Sequence, residues 1–365
     1  MPNTAKHLII GSTAAYSGKS TLSVAIGSRL QALGLRVGWG KPLASLDAFG
    51  YGLMDEKDGD LSFIPSTLDL STTQQSPTLL SLDSATWMER LQQPSPASLD
   101  AALQNYGHQV DSDITLLEGP STLEEGALFN LSLPELAIAL KAHVLLVMQA
   151  NTLGMIDQLV AAQKRLGSAL LGVVLNEVSE ADRDLTENTI APYLEQLGIP
   201  VLGMLPKLPF LQGIRVSELV RYLDAEVLCS HDHLDLVVES LKIGAMNVNS
   251  ALRFFGQGTH QAVVTGGDRR DLQIAALETS THCLILTGQI APSKDVLTLA
   301  KDKEVPVLSV ATDTLSTVER IDMLFGRLPL NNPDKVPLIK QHLAAQVNIE
   351  RLLELTDLEM PAIAP

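Results

Sequence analysis

Short runs of consecutive apolar residues alternate with longer stretches of helical periodicity along most of the chain. The apolar runs lie at 8–10, 114–117, 144–148, 172–175 and 200–204, and helical patterns lie at 155–166 and 186–197. Strands that read as continuous apolar runs are typical of a sheet covered on both faces. Their alternation with helices favours parallel pairing. The pattern therefore predicts an α/β fold, with helices on both faces of a parallel sheet.

The texture of the sequence changes near residue 225, where a second series of apolar runs begins. These runs lie at 261–265, 283–288 and 305–310, and a helical pattern at 339–355 follows them. A chain of 365 residues has the length of about two ordinary domains. We predict a first α/β domain at 1–225, a smaller α/β domain at 226–335, and a C-terminal helix and tail at 336–365.

The composition is that of a well-cored globular protein and argues against several classes of function. Apolar residues make up 45% of the chain and charged residues 19%, as in folded domains. A net charge of −16 argues against nucleic-acid binding, which requires a basic face. The sequence shows neither a signal segment nor a membrane-spanning apolar run, and two cysteines are too few for a disulfide framework. We therefore expect a cytoplasmic protein without a membrane or nucleic-acid partner.

The stretch from His7 to Gly34 carries the strongest motif. An apolar run and a loop of small residues lead into Ser17-Gly18-Lys19-Ser20-Thr21, and a helical pattern that ends at Gly34 follows. Strand, loop, Gly-Lys-Ser and helix is the layout of a phosphate-binding P-loop. The strict motif has a glycine where this chain has Thr13. A chance Gly-Lys-Ser at a helix start is therefore the alternative, and the flanking strand and helix favour the P-loop.

The residue types of this motif each have a physical reason. Unpaired amides and the dipole at the start of a helix attract anions, and Gly18 lets the backbone approach a phosphate closely. Lys19 would neutralise the charge of a terminal phosphate, and the Ser20 hydroxyl would bind Mg²⁺. The motif therefore predicts a nucleotide site that holds ATP together with Mg²⁺.

Polar residues stand at the ends of other predicted strands. Lys41 follows the run 36–40, Glu118 ends the run 113–118, and Asn176 follows the run 172–175. Because ligands of open α/β sheets bind at the carboxyl edge, Lys41 is a candidate phosphate or substrate contact and Glu118 a candidate acid on the Mg²⁺ side. An amide such as Asn176 can pair with an adenine edge. The alternatives are a solvated surface lysine at Lys41 and a turn residue at Asn176.

Three further clusters have weaker functional signals. We interpret the acidic patch of Asp55, Glu56, Asp58 and Asp60 as solvated surface. Cys229, His231 and His233 have spacing that could suit a metal, but the second half of such a site is missing, so we assign none. The segment Thr265-Gly266-Gly267-Asp268-Arg269 is a possible anion nest at a helix start. A glycine turn with Asp268 as the helix cap is the alternative.

Taken together, these motifs resemble a known domain arrangement. Lys41-Pro42, Glu118-Gly119 and the 172–176 strand are similar to the P-loop domain of dethiobiotin synthetase-like and cobyrinate synthase-like proteins. The 265–269 segment resembles a DRTGG domain, which stands between the P-loop and catalytic parts of long bacterial phosphate acetyltransferases. The resemblance covers nearly the whole chain.

The resemblance implies a MgATP site in the first domain. Its nucleotide-binding residues would be Ser17, Gly18, Lys19, Ser20, Thr21, Asn176 and Pro206. Ser20 and Glu118 would hold the metal, with Lys19, Lys41 and Glu118 as the catalytic residues of any reaction. The resemblance also implies a regulatory second domain, with Thr265, Gly266, Gly267, Asp268 and Arg269 as a possible ligand site, and a homodimer.

The sequence also departs from these families. The long acetyltransferases continue into an acyl-transfer domain where this sequence ends at Pro365, so we expect no acetyl transfer by this chain alone. Dethiobiotin synthetases have an acidic residue in the phosphate loop and a glycine-rich substrate loop after the strand acid. The segments 13–17 and 119–122 have neither feature, which argues against biotin-pathway chemistry more than against nucleotide binding.

We therefore expect an ATP-binding regulatory protein with a DRTGG-like sensor or dimerisation domain. It could be a slow ATPase that acts on a protein partner in carbon or acetyl-phosphate metabolism. The alternative is an ATP-dependent ligase that phosphorylates a small carboxylate or carbamate held by Lys41, since phosphoryl transfer needs mainly positioning and charge neutralisation. A scaffold with an inactive P-loop is a third interpretation, and the intact Lys19 and Ser20 argue against it.

Overall fold

A computed structural model describes residues 6–45, 58–92, 99–106, 110–326, 330 and 332–358. The chain forms two compact units. The first unit comprises Met1–Lys207 together with Pro329–Pro365, and the second unit comprises Leu208–Leu328. These divisions differ from the boundaries expected near residues 225 and 335, and they place the C-terminal segment in the first unit. Both units are α/β, as predicted.

The elements are numbered along the chain. The strands are β1 (Lys6–Gly11), β2 (Val37–Gly40), β3 (Leu43–Ser45), β4 (Gln75–Ser76), β5 (Leu80–Leu82), β6 (Ile114–Glu118), β7 (His143–Gln149), β8 (Leu170–Val178), β9 (Val201–Pro206), β10 (Ile214–Arg215), β11 (Glu226–Cys229), β12 (Val237–Val238), β13 (Ser240–Gly244), β14 (Gln261–Gly266), β15 (Thr281–Thr287) and β16 (Val307–Val310).

The α-helices are α1 (Lys19–Ala32), α2 (Asp60–Thr67), α3 (Ser84–Gln92), α4 (Asp100–Asn105), α5 (Leu133–Ala139), α6 (Met155–Leu166), α7 (Arg183–Leu185), α8 (Ala191–Gln196), α9 (Pro209–Gln212), α10 (Val216–Leu223), α11 (Val248–Phe255), α12 (Arg270–Leu277), α13 (Lys294–Asp302), α14 (Thr314–Leu324), α15 (Lys335–Leu338) and α16 (Ile349–Leu355). Short 3₁₀ segments lie at Thr72–Gln74, Ala127–Phe129, Gly167–Ala169, His231–His233 and Ala344–Gln346, and π-helical segments lie at Thr186–Ile190 and Ile339–Leu343.

The first unit is built on a seven-stranded sheet with the order β4-β2-β6-β1-β7-β8-β9. All of its neighbouring strands run parallel, which confirms the predicted pairing. β1 lies in the middle, and its Leu8, Ile9 and Ile10 are fully buried. Its register pairs Ile10 with Glu118 of β6. The loop that follows β1 and the acid that ends β6 therefore lie at the same carboxyl edge of the sheet.

The helix that follows the first strand confirms the predicted helical pattern, and its residues 22–27 are buried on every side. α1 buries Leu22, Ile26 and Leu30 completely, and they recur at the spacing that places residues on one helical face. The helix ends near the expected position, because the amide of Gly34 donates to the carbonyl of Gln31 at 2.9 Å. Burial of these side chains holds the start of α1 against the end of β1.

The prediction of one helix from Ile339 to Leu355 is wrong. The helical segments at 335–346 stop at Val347, which forms an antiparallel bridge with Gly203 of the edge strand β9. The amide of Asn348 donates to the carbonyl of Leu202 at 2.7 Å, and its side chain then caps α16 at the amide of Arg351. The unpaired backbone groups of an edge strand offer hydrogen bonds, and these interrupt the helix.

The second unit contains a five-stranded sheet with the order β11-β16-β15-β14-β13. β13 to β16 pair in parallel, and β11 pairs with β16 antiparallel. Fully buried Phe255, Leu272, Leu284 and Val296 belong to its core. The predicted strands at 261–265, 283–288 and 305–310 are confirmed as β14, β15 and β16, whereas the sequence analysis missed β11 and β13. No described helix in either unit combines the length and the apolar character needed to cross a bilayer.

The bridge between β9 and the C-terminal segment predicts a stability effect at Gly203. A β-carbon at this position would lie 2.7 Å from the carbonyl oxygen of Gln346, and backbone cannot yield as a flexible side chain can. We expect Gly203→Ala to destabilise the protein by about 1–3 kcal/mol, the usual cost of overpacking. Thermal or urea denaturation measures this effect.

Gly154→Ala is the matched control, because a β-carbon there would meet only the Thr152 hydroxyl at 3.7 Å and the backbone φ of −62° suits alanine. Equal stability of the two variants would contradict the packing of the C-terminal segment on β9.

Candidate functional site

The loop between β1 and α1 has the backbone of a phosphate-binding loop. Gly18 adopts a left-handed conformation with φ of 102°, which side chains other than glycine rarely adopt. A β-carbon at Gly18 would also lie 2.4 Å from Nδ2 of Asn176. Thr13 occupies the position of the missing motif glycine, and its hydroxyl donates to Oε1 of Gln158 in α6 at 2.9 Å. The departure from the strict motif therefore attaches the loop to a neighbouring helix.

Lys19 points its ammonium group into this loop. The residue is 8% exposed, and its Nζ lies 3.4 Å from the Ser12 hydroxyl. Burial lowers the pKa of Lys19, and the charge of Glu118 partly opposes that shift. A buried ammonium has three donors, and one long hydrogen bond leaves capacity to bind an anion.

A second buried lysine lies at the end of β2, surrounded by carboxylates. Nζ of Lys41 lies 2.5 Å from Oδ2 of Asp58, 2.8 Å from Oε1 of Glu118 and 3.5 Å from Oδ2 of Asp60. We call these four residues the Lys41 cluster. The side chain of Lys41 is 11% exposed and that of Glu118 is 2% exposed. The structure thus brings together Lys41 and Glu118, two residues selected from the sequence.

The interpretation of the acidic patch as solvated surface is wrong for Asp58 and Asp60. Their side chains are 9% and 10% exposed, respectively, and both contact Lys41. Asp55 and Glu56 lie outside the described residues. The sequence signal was ambiguous, because Asp60 is the first residue of α2, where an acid is ordinary. Its role in the site depends on Ser20, which lies 40 residues earlier in the chain.

The charged groups of the Lys41 cluster shift one another's pKa values. Burial lowers the pKa of Lys41, but the carboxylates of Glu118, Asp60 and Asp58 outweigh burial and raise it overall. Burial raises the pKa of Glu118, but the charges of Lys41 and Lys19 outweigh burial and lower it overall. Burial and the charge of Glu118 raise the pKa of Asp60 to about 7. Glu118 is therefore the more strongly stabilised carboxylate of the two.

The site has the donors that suit a magnesium ion. The Ser20 hydroxyl donates to Oδ2 of Asp60 at 2.9 Å. The other oxygens of the two acids, Oδ1 of Asp60 and Oε2 of Glu118, are buried and have no hydrogen-bond partner among the described residues. Buried carboxylate oxygens without a partner are costly. Mg²⁺ takes one or two carboxylates and completes its shell with water and phosphate oxygens, so the donor set fits this ion.

No group of three or more His, Cys, Asp or Glu placed to hold a metal occurs within the described ranges. The absence of a metal at Cys229, His231 and His233 stays a prediction. Cys229 is buried, and its thiol lies 3.9 Å from the carbonyl oxygen of Val305.

Asn176 contacts the phosphate loop from β8. Its Nδ2 donates to the carbonyl of Ser17 at 2.8 Å, in a buried hydrogen bond. Pro206 is exposed at the end of β9, the edge strand that pairs with β8. Asn176 therefore stabilises the loop before Gly18. Contacts of Asn176 and Pro206 with adenine stay predictions.

In the second unit, internal hydrogen bonds hold the segment from Thr265 to Arg269. The Thr265 hydroxyl donates to the carbonyl of Gly244 at 3.0 Å, and Nη2 of Arg269 donates to that of Met246 at 3.0 Å. Nε2 of Gln273 donates to the carbonyls of Gly266 and Gly267. The alternative that Asp268 caps the helix is wrong, because Arg269 is the cap residue and no side chain caps α12. A ligand role for this segment stays a prediction.

Comparisons with known proteins agree with this architecture. A family described as the AAA domain matches residues 6–215. The chain belongs to this family. A DRTGG domain matches residues 218–324. The order of a P-loop domain followed by a DRTGG domain is the one expected from the sequence.

The curated relatives include phosphate acetyltransferases of Nitratidesulfovibrio vulgaris and Pseudomonas aeruginosa. The first is 24% identical over 351 residues, which cover 90% of this chain and 49% of the relative. The second is 24% identical over 365 residues, which cover 92% of this chain and 50% of the relative. The chain therefore spans about half the length of these relatives and corresponds to the N-terminal part of their long form.

Two solved structures also overlap with parts of the chain. The septum site-determining protein MinD of Pyrococcus horikoshii, complexed with Mg-ADP, is 16% identical with a TM-score of 0.35, and the match covers 57% of this chain and 84% of MinD. The CBS and DRTGG domains of the Clostridium perfringens pyrophosphatase regulatory region are 18% identical with a TM-score of 0.29. That match covers 44% of this chain and 75% of the pyrophosphatase chain.

The raised pKa of Asp60 predicts a pH dependence of stability. At pH values between 3.8, the ordinary pKa of this carboxyl, and about 7, its pKa in the folded protein, Asp60 is protonated more often in the folded state than in the unfolded state. Stability therefore falls as the pH rises through this range. Asp60→Asn cannot ionise. The melting temperature of this variant, relative to that of the wild type, should therefore rise between about pH 5 and pH 7.5. Thermal denaturation at several pH values measures the difference.

Asp83→Asn is the control for this measurement. The amide of Thr86 donates to Asp83 and lowers its pKa, so Asp83 stays ionised across the same pH range. Its variant should differ from the wild type by a constant amount. If Asp60→Asn behaved in the same constant way, the burial of an easily protonated Asp60 would be refuted.

Proposed function

We propose that the first unit binds MgATP and that the chain is an ATP-binding regulatory protein. The observation that carries the proposal is the group at the start of α1. A buried Lys19 and the Ser20 hydroxyl lie beside two acids, each with a buried carboxylate oxygen that has no hydrogen-bond partner in the part of the chain that the structure describes. An anion and a cation are both needed to satisfy such a group, and a nucleotide with its magnesium ion supplies them together.

Each residue of the loop has a defined part in this proposal. The amides at the start of α1, from Gly18 to Thr21, bind phosphate oxygens, and Lys19 neutralises the charge of the terminal phosphate. Ser20, Asp60 and Glu118 would hold Mg²⁺, which would neutralise negative charge on the phosphates. Ser17 belongs to the same loop, and Asn176 and Pro206 would border the adenine.

The contacts of Lys41 favour this function over the ligase alternative. A ligase would use Lys41 to hold the carboxylate or carbamate of its substrate. The Lys41 ammonium already has three carboxylates within 3.5 Å, so a substrate carboxylate would add a fourth anion in a buried place. Burying such a charge without a free partner is unfavourable. The intact positions of Lys19 and Ser20 in turn argue against an inactive scaffold.

We further propose that the second unit has a regulatory role and that the chain forms a homodimer. The DRTGG match over residues 218–324 supports this part of the proposal, with the 265–269 segment as the candidate ligand site. The names of the relatives support a protein partner in acetyl-phosphate or carbon metabolism. ATP hydrolysis, where it occurs, would be slow and would serve that partner.

The role of Lys19 predicts a loss of ATP affinity in Lys19→Ala. A hydrogen bond to a charged group contributes about 1.5–3 kcal/mol, so the variant should bind MgATP roughly 10- to 150-fold more weakly. Isothermal titration calorimetry with ATP and Mg²⁺ measures the change. Lys164→Ala is the matched control, because it removes an exposed lysine of α6 in the same unit and should bind like the wild type.

Equal affinity of Lys19→Ala and the wild type would refute the P-loop site. No binding by the wild type, with folding verified by circular dichroism, would refute the MgATP proposal as a whole.

A second measurement separates the regulatory protein from the ligase. We expect ATP turnover to stay at a low background rate when a panel of small mono- and dicarboxylic acids is added, because Lys41 has no free donor for them. A phosphate-release assay measures the rate, with Lys19→Ala as the baseline. An acid that stimulated wild-type turnover well above that baseline would support the ligase instead.

A further inference from the structure

We propose that Lys41 is a built-in counter-ion for Asp60 and Glu118. Its positive charge keeps divalent cations out of this site until a nucleotide has bound. Lys41 is then a positioning residue for the two acids and has no direct contact with a substrate. Asp58 holds the Lys41 ammonium in place through Oδ2, and its Oδ1 accepts from the backbone amide of Asp60 at 3.1 Å. The inference rests on the proposed MgATP site and adds an order of binding to it.

The donors of Lys41 are fully used within the cluster. An ammonium group has three N–H donors, and the three carboxylates of Asp58, Glu118 and Asp60 lie at 2.5, 2.8 and 3.5 Å from Nζ. Among the described residues, these three acids form ion pairs with no other basic side chain. The ammonium group of Lys41 is therefore paired with the acids, whereas that of Lys19 lies 3.4 Å from the Ser12 hydroxyl and forms no ion pair within the described ranges.

The charge balance of the site depends on Lys41. Three buried or nearly buried carboxylates share the space with the ammonium groups of Lys19 and Lys41. Without Lys41, Lys19 would be the remaining ammonium beside three acids. Buried charges without partners are costly, and a divalent cation is the ligand that would relieve the excess. In the protein without nucleotide, Lys41 thus takes the place of a bound metal cation.

The geometry explains why a nucleotide would change this balance. The two acids offer one oxygen each that has no partner within the described ranges, Oδ1 of Asp60 and Oε2 of Glu118, and Ser20 adds a hydroxyl. These donors are too few for the six-coordinate shell of Mg²⁺, and the nearby ammonium of Lys41 repels the ion. Phosphate oxygens add both ligands and negative charge, so the metal would enter with the nucleotide or after it.

Asp58 has a distinct place in this arrangement. It makes the shortest of the three contacts to Lys41, whereas the contact of the Ser20 hydroxyl is with Asp60. Asp58 therefore anchors the ammonium without sharing the hydroxyl that the metal would use. Removing both Asp58 and Lys41 would remove one charge of each sign and leave the two metal-binding acids in place.

Binding of Mn²⁺ to the full chain without nucleotide tests the inference. The free Mn²⁺ signal in electron paramagnetic resonance gives the affinity for the wild type, Lys41→Met, Lys41→Arg and the double variant Lys41→Met/Asp58→Asn. We expect Lys41→Met to bind Mn²⁺ at least about tenfold more tightly than the wild type, because an adjacent positive charge is gone. Lys41→Arg keeps the charge and should resemble the wild type, and the double variant should return close to it.

Equal or weaker Mn²⁺ binding by Lys41→Met would overturn the inference. It would equally be overturned if Lys41→Arg gained as much affinity as Lys41→Met, or if the double variant kept the whole gain. Circular dichroism verifies folding, and Lys41→Gln replaces Lys41→Met if the methionine variant does not fold. Because these titrations contain no nucleotide, they decide the role of Lys41 even if calorimetry showed that the wild type does not bind ATP.

Discussion

The parallel pairing of β1 with β6 is the constraint on which the candidate site depends. The register sets Ile10 beside Glu118, so the phosphate loop leaves the sheet level with the acid that ends the neighbouring strand. β2 pairs with β6 on the other side and ends at Gly40, one residue before Lys41. A shift of one residue would turn each side chain to the opposite face. Three segments that are distant in sequence thus converge because their strands are aligned.

The positions of the residues that follow apolar strands were predictable, because they depend only on the neighbouring sequence. A strand that is buried on both faces reads as an apolar run, and the first polar residue after it must lie near the carboxyl edge. Lys41, Glu118 and Asn176 were all found in this way. The start of α1 was equally local, since Gly18 satisfies a left-handed backbone that the motif itself specifies.

The features that were missed depend on contacts between distant segments. Asp58 and Asp60 belong to a polar, acidic stretch of sequence, and no local pattern shows that these two residues contact Lys41 and Ser20. The final helix fails for a similar reason. Its sequence is helical, but Val347 meets the open edge of β9, and a backbone hydrogen bond there outweighs the helical preference of one residue. Local propensity is a weak prior wherever tertiary contacts compete with it.

The two lysines of the site differ in the charged groups that surround them. Both are buried, so burial lowers the pKa of each. Around Lys41 the charges of three acids more than reverse this effect, and they also occupy its donors. Around Lys19 they do not, so its ammonium is left partly unsatisfied beside the loop amides. A buried ammonium gains most from an anion when its own donors are free, and this difference is the reason to propose that Lys19 binds phosphate while Lys41 pairs with the acids.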